Sequence, residues 1–513
     1  MGALSPQRGF PFECAKVWVP LDYDGPDRSL IALALVRLPA TDPARRIGSL
    51  FLNPGGPGGS GVDFVLGLGP FLYSEEVRAS FDLVGFDPRG IARSTPLLCF
   101  DGLEESLAAL PPFPFPVTPR EEVTQTRSNA TVANACDERG GRIIDHMSTA
   151  NVARDMELLR RAVGDAKLTY AGYSYGSYLG VTYANLFPDR VRALVVDGVL
   201  DPVAWATGRA NQAATLPFST RLRSDAEAQA TLEEFFRLCD AGGETCAFSG
   251  DSAARYAALA DRLRAAPLEV ILPTGETVVL TYADFIGTTL GAMYNSYSWP
   301  FFAELLAYIE SQADPSAVGV RLSALWAALG LDRETVRYPN VVEGFPGVAC
   351  SETANPDSFH AWQEAADSSE EQYGYFGRLW TFASSICAFW PAADAGRYTG
   401  PWDAVTANPV LVVGNTYDPA TRYEGAVVVD RLLPRSRLLT VHGWGHTSLF
   451  LSQCADQAVS AYLLSVSIPA PGTVCEQDVV PFAEAPQTLR EQLAASDVSR
   501  FPEAVRRSVP GAG

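Results

Sequence analysis

Lysine is almost missing: only Lys16 and Lys167 occur in 513 residues, so nearly all of the 39 basic side chains are arginine. Positive charge is in deficit as well, with 59 acidic residues and a formal net charge of −20. A surface of that sign repels phosphate backbones and anionic lipid, which argues against nucleic-acid binding. Long apolar runs are missing too. The longest candidate, Leu30 to Leu38, contains Arg37 and falls well short of the ~20 residues that span a bilayer. Histidine is scarce, with four residues, and no C-x-x-C occurs, so a zinc site is not expected. No low-complexity tract or internal repeat is visible, and 47% hydrophobic with 19% charged residues is a globular balance. The first residues, Met1 to Pro6, form neither a signal peptide nor a myristoylation pattern. Either the protein is intracellular or a leader has been removed.

Nine cysteines are present, and eight group as sequence neighbours: Cys99 with Cys136, Cys239 with Cys246, Cys350 with Cys387, and Cys454 with Cys475. Short local loops closed in this way are typical of secreted chains. Buried free thiols are the alternative. Cys14 is left over, and the single sequon at Asn129 adds little.

The chain opens with two strand-like runs, Cys14 to Leu21 and Leu30 to Leu38, read as an antiparallel hairpin at a sheet edge. Short apolar strands follow at 49–52, 81–86, 168–172 and 191–197, with helices expected at 149–163 and 177–185. Between about 100 and 140 the pattern softens into an expected loop excursion. Alternating strands and helices predict an α/β fold, a mostly parallel sheet with helices on both faces. From 203 to 405 amphipathic helical segments dominate, such as 226–238, 253–263 and 303–311, and the strand pattern returns at 409–414 and 436–441. The expected organisation is therefore a core at 1–202 and 406–480, a mainly helical insertion or cap at 203–405, and a tail at 481–513 with a loose helix.

Gly172-Tyr173-Ser174-Tyr175-Gly176 is a G-x-S-x-G set between an expected strand and helix, the context of a nucleophile elbow. A plain helix N-cap is the alternative for Ser174. A serine hydroxyl needs a base, and His446 lies in the glycine-rich 443–447 loop after the last strand. His442 is read as its structural neighbour. The base needs a carboxylate, and Asp418 follows the 410–414 strand, where such an acid belongs. The order Ser174, Asp418, His446 is that of α/β-hydrolases. Oxyanion donors are expected from the backbone N–H of Tyr175 and of Gly56, in the Gly55-Gly56-Pro57-Gly58 loop.

The stretches 14–23, 53–61, 86–90, 172–177, 183–191, 197–202 and 418–421 together resemble the tripeptidyl-aminopeptidase branch of the α/β-hydrolase, proline-iminopeptidase-like serine peptidases. Ala92 departs from that pattern, which usually has glycine there. The resemblance implies a secreted enzyme, acting on a peptide or small acyl substrate, that cuts short peptides from a free N-terminus. An exopeptidase must hold an ammonium, so a carboxylate is needed at a fixed distance from the nucleophile. Glu352 is the first candidate, with Asp197, Asp201 and Glu343 behind it. Thr421 is a donor to the acid or a helix cap, and Tyr173 and Tyr175 are expected to line the pocket. Trp299, Phe301, Tyr373, Phe376, Trp380 and Trp390 are pocket wall or plain core. Asp87 and Arg89 are expected as a salt bridge or loop brace. No metal or organic cofactor is called for, and a monomer is favoured. An esterase or small-amide hydrolase with the same triad is the rival.

Overall fold

The computed structural model describes residues 9–25, 28–271, 277–312 and 340–483. The expected tail helix lies outside the described residues. Among the described residues, nine strands form one sheet in the order β1-β2-β4-β3-β5-β6-β9-β10-β11. These are β1 (Glu13–Pro20), β2 (Leu30–Leu38), β3 (Gly48–Asn53), β4 (Phe81–Phe86), β5 (Leu168–Tyr173), β6 (Val191–Asp197), β9 (Val410–Tyr417), β10 (Ser436–Trp444) and β11 (Val474–Glu476). β1 pairs with β2 and β2 with β4 antiparallel; all other neighbours are parallel. The antiparallel hairpin therefore sits at the edge, as its alternating pattern implies.

The central strands are apolar on both faces because both faces are covered. Along β3, Phe51 packs into one hydrophobic cluster while Leu50 and Leu52 pack into another on the opposite side. The same two-residue alternation puts Leu194 and Val196 on the first face and Val195 on the second. Helices Thr149–Ala162 and Tyr175–Leu186 cover the first face; Gly61–Leu68 and Gln453–Ser465 cover the second. Each fully buried aliphatic side chain contributes roughly 1.5–3 kcal/mol.

The stretch expected as a loop excursion instead holds the helices Leu103–Ala108 and Pro119–Arg139. The second starts on a capping box, with Thr118 and Glu121 exchanging hydrogen bonds and Pro119 in the first turn. Few of its residues are buried, so it carries no apolar stripe for a periodicity reading to find. Between β6 and β9 the described chain is mainly helical, apart from a hairpin of β7 (Leu268–Ile271) and β8 (Thr277–Leu280). This region has its own core, in which Trp299 and Phe376 are fully buried beside Phe235 and Phe302.

All four neighbour pairs of cysteines are joined as disulfides, and Cys14 is free and exposed on β1. Asp87 and Arg89 do not pair with each other. Arg89 lies fully buried against Asp155, with bonds of 2.7 and 2.8 Å, and also donates to the carbonyls of Leu21 and Pro20. Asp87 accepts from Ser60 Oγ and from the Val62 and Arg93 amides. Each is a separate brace beneath the strand ends. Removing one partner of the Arg89–Asp155 pair would leave a buried charge uncompensated, at a cost of roughly 3–5 kcal/mol.

Candidate active site

β5 ends at Tyr173 and a helix begins at Tyr175, which leaves Ser174 alone to make the turn. Its φ of 58° and ψ of −126° lie where side-chain-bearing residues are rarely found. The turn survives because its neighbours have no side chains to collide. A Cβ on Gly172 would stand 2.2 Å from the Gly176 carbonyl oxygen. One on Gly55, in the loop after β3, would meet the Tyr173 carbonyl at 2.5 Å and Ser174 Cβ at 2.8 Å. Tyr170 Oη donates to the Gly176 carbonyl, and Ser174 N–H donates to the Asp197 carbonyl at the end of β6.

The loop after β9 carries Asp418 and the loop after β10 carries His446. His446 Nδ1 lies 2.9 and 3.0 Å from the two Asp418 oxygens. The neutral ring therefore keeps its proton on Nδ1 and leaves Nε2 available as a base. Asp418 is fully buried and accepts four further bonds, from the amides of Ala420, Thr421 and Thr447 and from Thr421 Oγ1 at 2.8 Å. Burial pushes its carboxyl up, but the His446 charge and these donors outweigh that and hold it below its ordinary value. Burial pushes the His446 imidazole down; Asp418, and then Asp197, outweigh burial and raise it.

The imidazole lies over Gly198, with Cε1 3.4 Å from where a Cβ would stand. Gly198 follows the Asp197 whose carbonyl accepts the Ser174 amide, so serine and histidine share one strand end. Among the described residues no hydrogen bond joins Ser174 Oγ to His446. Such contacts are often long without substrate and tighten when it binds. His442 is at the surface, its Nδ1 2.9 Å from Glu476.

Three residues that sequence reasoning missed hold the histidine loop. Tyr294, at the end of the helix Tyr282–Met293, accepts the His446 N–H with its carbonyl at 2.9 Å. Its ring stands edge-on to the imidazole with centroids 5.0 Å apart. Asn295 bridges to Gly445, and Ser448 donates to Asp197 through N–H and Oγ. Contacts across such sequence distances leave no local signal.

Gly55 also brings the early loop against the elbow, its Cβ position 2.9 Å from the Tyr175 nitrogen. Gly56, with φ of 113°, is next in that loop. Neither the Gly56 nor the Tyr175 N–H donates a hydrogen bond among the described residues.

The four candidate acids are all buried or engaged. Asp197 is held by Ser448, and burial pushes its acid up to about 7. Asp201 caps the helix Pro202–Ala206 and pairs with Arg209 at 2.7 Å. Glu343 accepts from the Cys99 amide. Glu352 ends the helix Val341–Glu352, whose Gly344 and Phe345 backbone packs against Gly58 of the glycine loop. Its oxygens accept from Thr149 N–H and Oγ1 and from Trp205 Nε1, at 2.7 to 2.8 Å. Thr149 Oγ1 in turn bonds Tyr175 Oη. Burial pushes the Glu352 acid up to about 7. Tyr173 turns to the opposite face of the sheet from Tyr175 and bonds Tyr73 Oη at 2.7 Å.

Comparison with known sequences gives two family matches, one described as alpha/beta hydrolase fold over residues 48–235 and one as TAP-like protein over residues 372–475. The chain is 34% identical over 484 residues to serine protease Hip1 of Mycobacterium tuberculosis, covering 90% of this chain and 87% of that one. It is 35% identical over 475 residues to carboxylesterase B of the same organism, covering 90% and 86%. It is 30% identical over 485 residues to tripeptidyl aminopeptidase of Streptomyces coelicolor, covering 92% and 84%.

Proposed function

Because the chain belongs to the TAP-like α/β-hydrolase family of serine hydrolases, we propose that it is a serine exopeptidase releasing short peptides from a free N-terminus. Ser174 Oγ attacks the scissile carbonyl while His446 Nε2 takes its proton. Asp418 fixes the tautomer and stabilises the imidazolium. The Gly56 and Tyr175 N–H groups receive the oxyanion. His446 then gives the proton to the leaving amine, and water cleaves the acyl-enzyme by the same route. Thr421 positions Asp418. The observation that carries this reading is a left-handed serine on a glycine-packed elbow, set at the same strand end as a buried Asp418–His446 pair.

Glu352 is the acid we assign to the substrate ammonium. All four acids are engaged, Asp201 by Arg209, Glu343 by the Cys99 amide, Asp197 by Ser448 and Glu352 by Thr149 and Trp205. What favours Glu352 is its side-chain link, through Thr149, to Tyr175, whose N–H is an expected oxyanion donor. An arriving ammonium would favour its ionised form. Residues 203–405 act in this scheme as a cap over the strand ends, with the core at 1–202 and 406–480. The four disulfides fit an extracytoplasmic site of action.

The relative named carboxylesterase B supports a second reading, hydrolysis of a small ester or amide. A paired assay separates them. Alanyl-alanyl-prolyl and alanyl-alanyl-phenylalanyl chromogenic amides are run beside their N-acetylated forms and a short-chain aryl ester, with Ser174→Ala as control. Cleavage of only the free-amine peptides is expected, with a raised KM in Glu352→Gln. Ester cleavage alone, abolished in Ser174→Ala, would keep the triad and overturn the peptidase.

A further inference from the structure

Beside the acid loop lies a cavity of about 320 Å³, within the size range of small-molecule sites. Ala420 and Thr421 form part of its wall, whereas neither Ser174 nor His446 lines it. Its charge runs against that of the whole chain. Four arginines line it, Arg209, Arg221, Arg223 and Arg422, against two carboxylates, Asp201 and Glu424. Asp201 pairs with Arg209 at 2.7 Å and Glu424 with Arg422 at 2.8 Å. Glu227 stands 3.7 Å from Arg422, and burial pushes its acid up to about 8.

The other two guanidiniums, Arg221 and Arg223, have no carboxylate within 3.5 Å among the described residues. Arg221 is buried and gives its N–H groups to the carbonyls of Ala204, Leu216, Ala354 and Trp205. Those carbonyls satisfy its donors without neutralising its charge, and among the described residues it makes no ion pair. Arg223 holds a left-handed backbone, φ 63° and ψ 30°, which side-chain-bearing residues rarely adopt. Its guanidinium is stacked 4.0 Å over the Tyr373 ring. Its Nε–H is buried and donates no hydrogen bond, and Asp225 stands off at 3.6 Å while also accepting from Ser369. Arg223 thus lines the cavity with a buried Nε–H that makes no hydrogen bond, on a side chain that is 35% exposed and reaches Asp225 only at 3.6 Å.

We propose that this cavity binds a carboxylate, received by the Arg223 guanidinium and by Arg422, which it would share with Glu424, in the field of Arg221. Thr421 forms its wall and donates to Asp418 Oδ2 at 2.8 Å, so the bound group sits one residue from the catalytic acid. The carboxylate is either part of the substrate or a free small acid. The site does not depend on the peptidase reading, because binding can be measured without turnover.

The test titrates sodium succinate into the full-length Ser174→Ala protein by calorimetry, with chloride holding ionic strength constant. Saturable binding is expected, weakened about tenfold or more by Arg223→Gln and by Arg422→Gln, the loss of a charge-assisted bond. Circular dichroism checks that both variants are folded. No saturable heat, or unchanged binding in both folded variants, overturns the proposal. The source is then read from kcat/KM for peptides carrying Asp or Asn in the active enzyme. A preference for Asp that Arg223→Gln abolishes assigns the site to the substrate's carboxylate. Lost succinate binding without any such preference assigns it to a free acid.

Discussion

The turn that carries Ser174 is held by missing side chains, whereas the loops that carry Asp418 and His446 are held by many. At the elbow, Gly172 and Gly55 let backbone meet backbone at distances no Cβ could tolerate, and the serine takes its left-handed conformation in the space left. At the acid, five donors converge on one buried carboxylate, and the histidine loop is tied by Tyr294 and Ser448. The difference follows from the chemistry. A nucleophile must be placed, which sterics can do alone. A charge-bearing pair must also be kept ionised inside the protein, which only hydrogen bonds and opposite charge can do.

The largest break removes what both halves serve. Ser174→Ala should lower kcat roughly 10⁶-fold, as loss of a triad nucleophile does, measured on whichever substrate class the paired assay identifies. Retained turnover would remove Ser174 from the mechanism. Next is Asp418→Asn, which keeps the shape but not the charge. Its kcat should fall roughly 10⁴-fold. The same variant tests the histidine. Activity needs the neutral ring, and Asp418 raises the His446 pKa, so the acidic limb of kcat/KM should lie above the ordinary histidine value. Removing the carboxylate charge should move that limb to lower pH. A limb that stays put would mean that another group sets it.

Gly55→Ala strikes the elbow alone. The new methyl would overlap the Tyr173 carbonyl and Ser174 Cβ, and a displacement of that size costs about 10² in rate or more. The protein should still fold by circular dichroism, since the Asp418–His446 pair is untouched; full activity would show that the turn is less tight than described. The smallest effect is expected from Thr421→Val, which removes one of five donors to the acid. A loss of about tenfold in kcat/KM corresponds to one charge-assisted bond, and Thr421→Ser should restore it. If serine does not rescue, the threonine acts through its methyl and not its hydroxyl.

The same contrast decides what could be read from residues alone. The buried strands are short apolar runs whose neighbours are turns, so β4 and β6 fall at 81–86 and 191–197, where hydrophobic periodicity puts them. The elbow is legible as a five-residue motif, although Gly55 and the Asp197 carbonyl, which pack and hold it, come from other strand ends. The disulfides join sequence neighbours. The helix Pro119–Arg139 escaped because most of its surface is solvated. The partner of Arg89 is Asp155 and not the nearby Asp87, because burial selected the carboxylate that also reaches its fork from another helix. The carbonyl of Tyr294 that receives the His446 amide, or the Thr149–Glu352–Trp205 cluster behind Tyr175, depends on how the helical region lies on the sheet. No local pattern encodes that.

The bond from His446 N–H to the Tyr294 carbonyl also limits how the site can be entered. Residues 294–297 are fastened to the core at three points: His446, the Asn295–Gly445 bridge, and Tyr297 Oη on the Phe450 carbonyl. Swinging this segment outward would drag His446 with it, and if His446 is the base proposed above, an open gate on that side would be a disarmed enzyme. On the proposed mechanism, substrate would then arrive from another side while Tyr294 stays seated, and admission and readiness of the base would not alternate.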